Sequence, residues 1–383
     1  SMHIGIDARE LGGHPTGVGR YLSQLLQQWT RIHELRDHRH EFTLYVPADS
    51  GSRSTHLFAD GSMRYRLVPG SPGTWWEQVS LARAVAADRP DVFFAPAYTL
   101  PLLLGCPSVL TIHDVSFLAH PEWFAPRERW RRTWLTRLSA RRATLVLTDS
   151  TFSQLEIERR IGIAAGQLRV IRLGVARPGV LAARDAISPG TLSDTLPGFA
   201  AREPLVLYVG SVLNRRRVPE LMQAFARVHR QVPDARLVIV GENRTYPHQD
   251  LAAMCSALDI TSAVDLRAYI DDRALAELYR RARVFAFLSE YEGFGLTPLE
   301  ALASGIPLVV LDTPIAREVC GSAARFVVAG DVDGCAKALT QLLTDASAHA
   351  DSLRQGAEVL ARYSWPDAAS ATLDAIETAE GRR

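Results

Sequence analysis

"VFAFLSEYEGFGLTPLEALASGIPLVVL", residues Val284 to Leu311, joins two β-branched, apolar runs through a glycine loop and a short helical pattern. Apolar runs of this length bounded by turn residues read as buried strands, and a helix between two of them makes a parallel β-α-β unit. The spacing predicts strands over Val284–Leu288 and Leu308–Leu311. Between them Thr297 reads as an N-cap, Pro298 as the first helical residue and Glu300 as the third, a T-x-x-E capping box, with Gly305 and Pro307 stopping the helix near Ser304. Two carboxylates, Glu292 and Glu300, bracket the loop "GFGLTPL". Gly293 and Gly295 allow backbone to approach a ligand, and the helix start offers N–H groups to an anion. The plainer alternative makes Glu300 a cap and Glu292 a solvated loop acid.

The same alternation runs the length of the chain. In the first half strands are expected over His3–Asp7, Phe42–Val46, Arg64–Val68, Val92–Ala95, Val109–Ile112 and Leu145–Thr148. In the second they fall at Leu205–Val209, Leu237–Val240, Val264–Leu266, Val284–Leu288, Leu308–Leu311 and Phe326–Val328. Strands alternating with helices predict α/β architecture, here two doubly wound, Rossmann-like domains. The expected boundaries are an N-terminal domain over 1–175, a Pro-, Gly- and Ser-rich linker over 176–203, and a C-terminal domain over 204–365. A last helix over 366–383 is expected to pack back on the first domain. Open α/β sheets bind ligands outside the carboxyl ends of their strands, so two such domains facing each other imply a cleft.

A chain of 383 residues suits two domains, and 47% apolar residues is ordinary for a globular protein. The richest apolar run, Tyr98–Ile112, is broken by Pro101, Gly105 and Pro107, so no spanning helix is expected. Ser1–Glu10 alternates like a strand without a charged-then-apolar leader pattern, which points to a cytoplasmic protein. Cys106, Cys255, Cys320 and Cys335 lie far apart with no C-x-x-C pair, against a disulfide or zinc framework. A net charge of +1 leaves no footprint for nucleic acid. The cations are almost all arginine, Lys337 being the sole lysine.

"EYEGFGLTPLEALASGIPLVV" closely resembles the E-x7-E region of the retaining glycosyltransferases of family 4, which have the GT-B fold. The resemblance implies that Glu300 accepts hydrogen bonds from the nucleotide ribose and that Glu292 contacts hydroxyls of the donor sugar. Backbone N–H groups of Gly293, Phe294, Gly295, Leu296 and Thr297 would hold sugar and diphosphate. A carboxylate suits a vicinal diol because its two oxygens can accept both O–H donors.

Further segments carry the resemblance. "PTGVGRYLSQLL" (Pro15–Leu26) is similar to the family's N-terminal glycine loop, with Gly17 and Gly19 approaching the diphosphate. In "VGSVLNRRRVPELMQAF" (Val209–Phe225), Arg215 and Arg216 match a pair that usually reads Arg-Lys, with Arg217 as the alternative should the register shift by one. A basic pair before a helix would neutralise the leaving diphosphate. In "TIHDVSFLAHPEWF" (Thr111–Phe124), His113 ends a strand and matches a histidine on the donor-sugar or acceptor side, while Asp114 could simply cap the next turn. Tyr269 and Ile270 lie where the family contacts the base, although Ala268 replaces its common glycine.

"PEWFAPRERWRRTWLTRLSARRATL" (Pro121–Leu145) interleaves tryptophans with arginines; residues 123–142 read either as an anionic-membrane contact or as a helix packing its aromatic stripe inward. "IDAREL", "TGVGRYL", "WWEQVSLARAV" (Trp75–Val85) and "HDVSFLAHPEWF" together look most like bacterial mannosyltransferases of surface polysaccharide assembly. The implied function is retaining transfer of a hexose, foremost mannose from GDP-mannose, to a hydroxyl of a glycan or lipid-linked glycan acceptor. No cofactor or metal is expected; "DVD" (Asp331–Asp333) reads as a helix cap. The alternatives are a UDP-sugar donor (glucosyl, galactosyl or N-acetylhexosaminyl), an epimerase or phosphorylase on the same scaffold, and a catalytically silent sugar-nucleotide or glycan binder.

Overall fold

The computed structural model describes residues 1–12, 16–35, 40–50, 63–177 and 196–382. Residues 178–195 of the expected linker, and Pro15 of the glycine loop, lie outside them. The chain divides into two compact units: Ser1–Ala119, Pro126–Gly174 and Ser364–Arg383 form the first, and His120–Ala125 with Val175–Tyr363 the second.

The first unit holds a seven-stranded parallel sheet. Its strands are β1 (Met2–Asp7), β2 (His40–Pro47), β3 (Arg64–Val68), β4 (Val92–Ala95), β5 (Ser108–Thr111), β6 (Leu145–Thr148) and β7 (Leu168–Val170), in the order β3-β2-β1-β4-β5-β6-β7. β1, β4, β5 and β6 are apolar and buried along most of their length, as central strands covered on both faces must be. The helix Trp365–Glu380 belongs to this unit, where the Trp29 indole N–H donates to the Ala369 carbonyl at 2.8 Å. β7 has no counterpart among the expected strands: three residues after a 3-10 turn are too short to show a period.

The second unit holds a six-stranded parallel sheet of β8 (Leu205–Val209), β9 (Arg236–Val240), β10 (Val264–Arg267), β11 (Val284–Phe287), β12 (Leu308–Leu311) and β13 (Ala324–Val327). The order is β10-β9-β8-β11-β12-β13, so the chain reverses direction across the sheet between β8 and β11. Just before β8 the buried Arg202 donates to carbonyl oxygens of Pro197, Tyr279, Ala282 and Ser304, at 2.5–3.0 Å. The carbonyls of Tyr279, Ala282 and Ser304 lie at the ends of the helices Asp272–Arg281 and Leu296–Ala303, whose C-terminal dipoles favour a cation. Asp331 caps the helix Val332–Thr344 by accepting from the Gly334 N–H, and Lys337 stands exposed on that helix.

Candidate functional site

In the second unit the loops after β8 and β11 emerge side by side because those strands are neighbours at the order reversal, the place where open α/β sheets gather ligands. The Glu290 N–H donates to the Arg215 carbonyl at 2.8 Å and ties the two loops together. Arg216 then meets Glu292 as a two-pronged fork, Nε to Oε1 at 2.7 Å and Nη2 to Oε2 at 3.1 Å, across 76 positions of sequence. Arg215 Nε stands 3.8 Å from the same Oε1, and the Ser289 hydroxyl lies 2.8 Å from it. Arg216 also donates to the Ser211 carbonyl, and its guanidinium lies 5.0 Å from the Phe287 ring centroid. Burial works against the charge on Glu292, but Arg216, Arg215 and the hydrogen bonds from Arg216 and Ser289 outweigh it and hold the carboxyl below its usual range. Glu292 is thus an anion at neutral pH. A largely apolar pocket opens beside it, lined by Phe287, Phe294, Pro298 and Ile315 with Ser289 and Thr313.

The expected capping box is corrected. The helix runs Leu296–Ala303, its N-cap is Gly295 at φ 94°, and no side chain caps it. A left-handed cap residue strongly favours glycine, which is why the chain can turn from the Glu292 loop into the helix at this point. Thr297 and Pro298 sit inside the first turn, and Glu300 is the fifth helical residue with 4% of its surface exposed. Glu300 therefore closes no box at the helix start, and Glu292, its side chain 13% exposed, is not a solvated loop acid.

Arg217, the register alternative, is committed elsewhere: it adopts φ 47° before the helix Val218–Gln231 and pairs with Glu220 and Glu290. Tyr269 is 61% exposed beyond the edge strand β10, and β9 and β8 stand between that strand and β11. The sheet order therefore does not bring Tyr269 and Ile270 beside Glu292.

In the first unit His113 follows β5 and Asp149 follows β6, its neighbour. His113 Nδ1 lies 2.6 Å from Asp149 Oδ2 and Nε2 lies 2.8 Å from the Pro96 carbonyl. Both partners only accept when Asp149 is ionised, so both ring nitrogens must carry protons. Burial opposes the imidazolium, yet Asp149 and the Pro96 carbonyl overcome it and raise the pKa. Such a ring has no lone pair to act as a base. Asp114 accepts from the Ser116 N–H at 2.9 Å, the turn-capping role, and from the Tyr98 hydroxyl at 3.0 Å.

Gly19 N–H donates to the Thr16 hydroxyl at the start of the helix Gly17–Leu35, and a Cβ on Gly19 would lie 2.6 Å from the Glu10 carbonyl oxygen. Glycine is required there by close packing on the turn after β1, whereas Gly17 faces open space. Arg9 in that turn bonds Asp7 and Glu77, and Glu77 Oε2 also accepts from the Thr99 hydroxyl at 2.7 Å. "IDAREL" and "WWEQVSLARAV" therefore meet in one buried ionic network.

The helix Pro126–Arg142 buries Thr136, Ser139 and Ala140 while Trp130 and Trp134 are 66% and 55% exposed, their rings 6.1 Å apart. Its aromatic stripe does not pack inward. Among the described residues no helix is long and apolar enough to cross a membrane, and no group of three or more His, Cys, Asp or Glu side chains gathers that could hold a metal.

Asp149 and Ser289 were missed in the sequence. Both stand just past strands, Ser289 inside the motif itself, so asking which polar residues follow neighbouring strands would have found them.

The chain is similar to known proteins in both of its halves. Residues 197–359 match the family model described as glycosyl transferases group 1, and residues 15–177 match that of glycosyltransferase family 4. The O-antigen chain mannosyltransferase B of Escherichia coli is 25% identical over 94% of this chain and 96% of its own. The GDP-mannose:cellobiosyl-diphosphopolyprenol alpha-mannosyltransferase of Xanthomonas campestris is 25% identical over 86% of this chain and 82% of its own. Among solved structures, Anabaena Alr3699/HepE in complex with UDP and glucose superposes with a TM-score of 0.73 at 19% identity, covering 99% of this chain and all of that one.

Proposed function

Because the chain belongs to glycosyltransferase family 4 and has the GT-B fold, we propose that it transfers mannose from GDP-mannose, with retention, to a hydroxyl of a glycan or lipid-linked glycan. The observation that carries the site is the Arg216–Glu292 fork at the order reversal of the second sheet, with the buried Glu300 on the helix that follows. The mannosyl preference draws on two relatives that span 94% and 86% of the chain.

In this reading Glu300 takes the ribose hydroxyls and Glu292 those of the sugar. Glu292 Oε2 accepts one hydrogen bond from Arg216, and a carboxylate oxygen has room for a second. Arg215, Arg216 and the N–H groups of Gly293–Thr297 face the diphosphate charge; no metal takes part. The C1–O bond to phosphate breaks while C1 bonds to the acceptor oxygen on the same face, and the acceptor proton passes to the departing phosphate oxygen. His113, as an imidazolium, lends fixed positive charge and takes no proton. Tyr269 and Ile270 are the candidates at the base.

The exposed Trp130 and Trp134, flanked by Arg127, Arg131, Arg137 and Arg141, support peripheral attachment to an anionic membrane at its cytoplasmic face.

The test presents GDP-mannose and a panel of UDP-sugars and follows nucleotide release, with the anomeric configuration of the product read by NMR. GDP release with an α-linked product is expected. Turnover with a UDP-sugar alone would replace the donor, an inverted product would remove retention, and binding without release would leave a silent binder.

A further inference from the structure

Six residues, His120–Ala125, pack in the second unit although the chain on either side of them belongs to the first. A 3-10 turn over Pro121–Trp123 organises them, closed by hydrogen bonds from the Trp123 N–H to the His120 carbonyl at 3.1 Å and from the Phe124 N–H to the Pro121 carbonyl at 3.3 Å. With three residues per turn, positions i and i+3 eclipse. His120 and Trp123 are so related, and their rings stack at 3.9 Å with 17° between planes. Glu122 steadies the imidazole, its Oε1 lying 3.0 Å from His120 Nδ1.

This stacked pair lies against Tyr291. The tyrosine ring meets His120 at 5.5 Å and 76° and Trp123 at 6.4 Å and 70°, both edge-to-face, and only 3% of Tyr291 is exposed. Tyr291 immediately precedes Glu292 in a stretch that is neither strand nor helix, between β11 and the helix Leu296–Ala303. A carboxylate in such a loop depends on side-chain anchors for its direction. Arg216 and Ser289 hold the carboxylate itself; the aromatic pair holds the residue before it.

We infer that His120 and Trp123 are positioning residues for the reaction, clamping Tyr291 so that Glu292 points in one direction. The inference rests on Glu292 contacting the sugar, as proposed above. It adds that a segment from the first half of the sequence sets the geometry of the acidic loop in the second.

The test compares Trp123→Ala, Trp123→Phe, His120→Ala and Glu292→Ala in GDP release from GDP-mannose, and follows amide hydrogen exchange of residues 288–296 without any donor. Trp123→Ala is expected to lower kcat about tenfold with KM changed less than about threefold, because direction and not affinity is lost. Faster exchange confined to the Glu290–Gly293 amides is expected with it, and Trp123→Phe, which keeps an aromatic ring, should restore both. Unchanged exchange in Trp123→Ala overturns the inference whichever sugar is the donor. Wild-type kcat in Trp123→Ala beside a collapsed Glu292→Ala overturns it while leaving the role of Glu292 intact. Wild-type turnover in Glu292→Ala removes the role of Glu292 and the inference with it.

Discussion

Glu300→Ala should weaken binding of the nucleotide donor by about 1–3 kcal/mol, the cost of losing hydrogen bonds to a charged group, in a titration calorimetry measurement. Because no side chain caps the helix start, loss of a cap cannot mimic that result, and unchanged affinity would remove the ribose role. Glu292→Ala should lower kcat far more than it raises KM, since its contact is expected to tighten as the C1–O bond breaks. Wild-type kcat would refute the contact. These two acids were legible because the stretch that holds them resembles the motif of a known family; the local pattern alone left a helix cap and a solvated loop acid open. Their partners were less legible. The pairing of Arg216 with Glu292 depends on which strands are neighbours, a fact that no local pattern carries. His113 was visible, but its charge state was not, since it is fixed by Asp149 and the Pro96 carbonyl.

At the level of elements, two cases separate propensity from packing. The helix Pro126–Arg142 buries small residues and exposes its tryptophans, so Trp130→Ser with Trp134→Ser should reduce sedimentation with anionic vesicles. Arg131→Glu with Arg137→Glu should do the same and remove the salt sensitivity of binding. Equal sedimentation of wild type and variants would discard the membrane proposal. The sequence showed this stripe and left open which way it faced; only the tertiary contacts of Thr136, Ser139 and Ala140 decide. Arg202 is the second case. Its guanidinium closes two helix ends with hydrogen bonds to carbonyls alone, so Arg202→Met should cost on the order of 2–4 kcal/mol and lower the denaturation midpoint of the second unit. An unchanged midpoint would mean that the carbonyls find other partners. Nothing in the local sequence marks this arginine, because its partners lie up to 102 positions away.

Over the whole molecule, the two units should respond to pH in opposite directions. His349 lies in the second unit with its ring 5.3 Å from that of Phe199, and burial, then the Arg202 cation, push its pKa down from 6.5 to about 4. Unfolded chains take up that proton below about pH 6.5 and the folded unit does not, so the second unit loses stability as pH falls from about 6.5 towards 4. His113 in the first unit is raised, so its contribution is complete below about pH 6.5 and fades as pH rises through its folded pKa. Melting curves at pH 5 and pH 7.5 check this: His349→Phe should flatten the acid-side loss, and an acid-side slope unchanged in that variant would deny it. Twelve of the thirteen strands among the described residues were foreseen within about two residues at each end, because buried parallel strands are continuous apolar runs and need no long-range information to be seen. The order in which they pair was not written locally, and that order builds the site. One further property follows from the composition of the surface. With Lys337 as the sole lysine, projecting from the helix Val332–Thr344, a succinimidyl dye has a single ε-amine to find, and the α-amine is its one competitor. A fluorophore would thus tag the second unit at one known address without any engineered cysteine, on a helix that contributes no residue to the proposed chemistry.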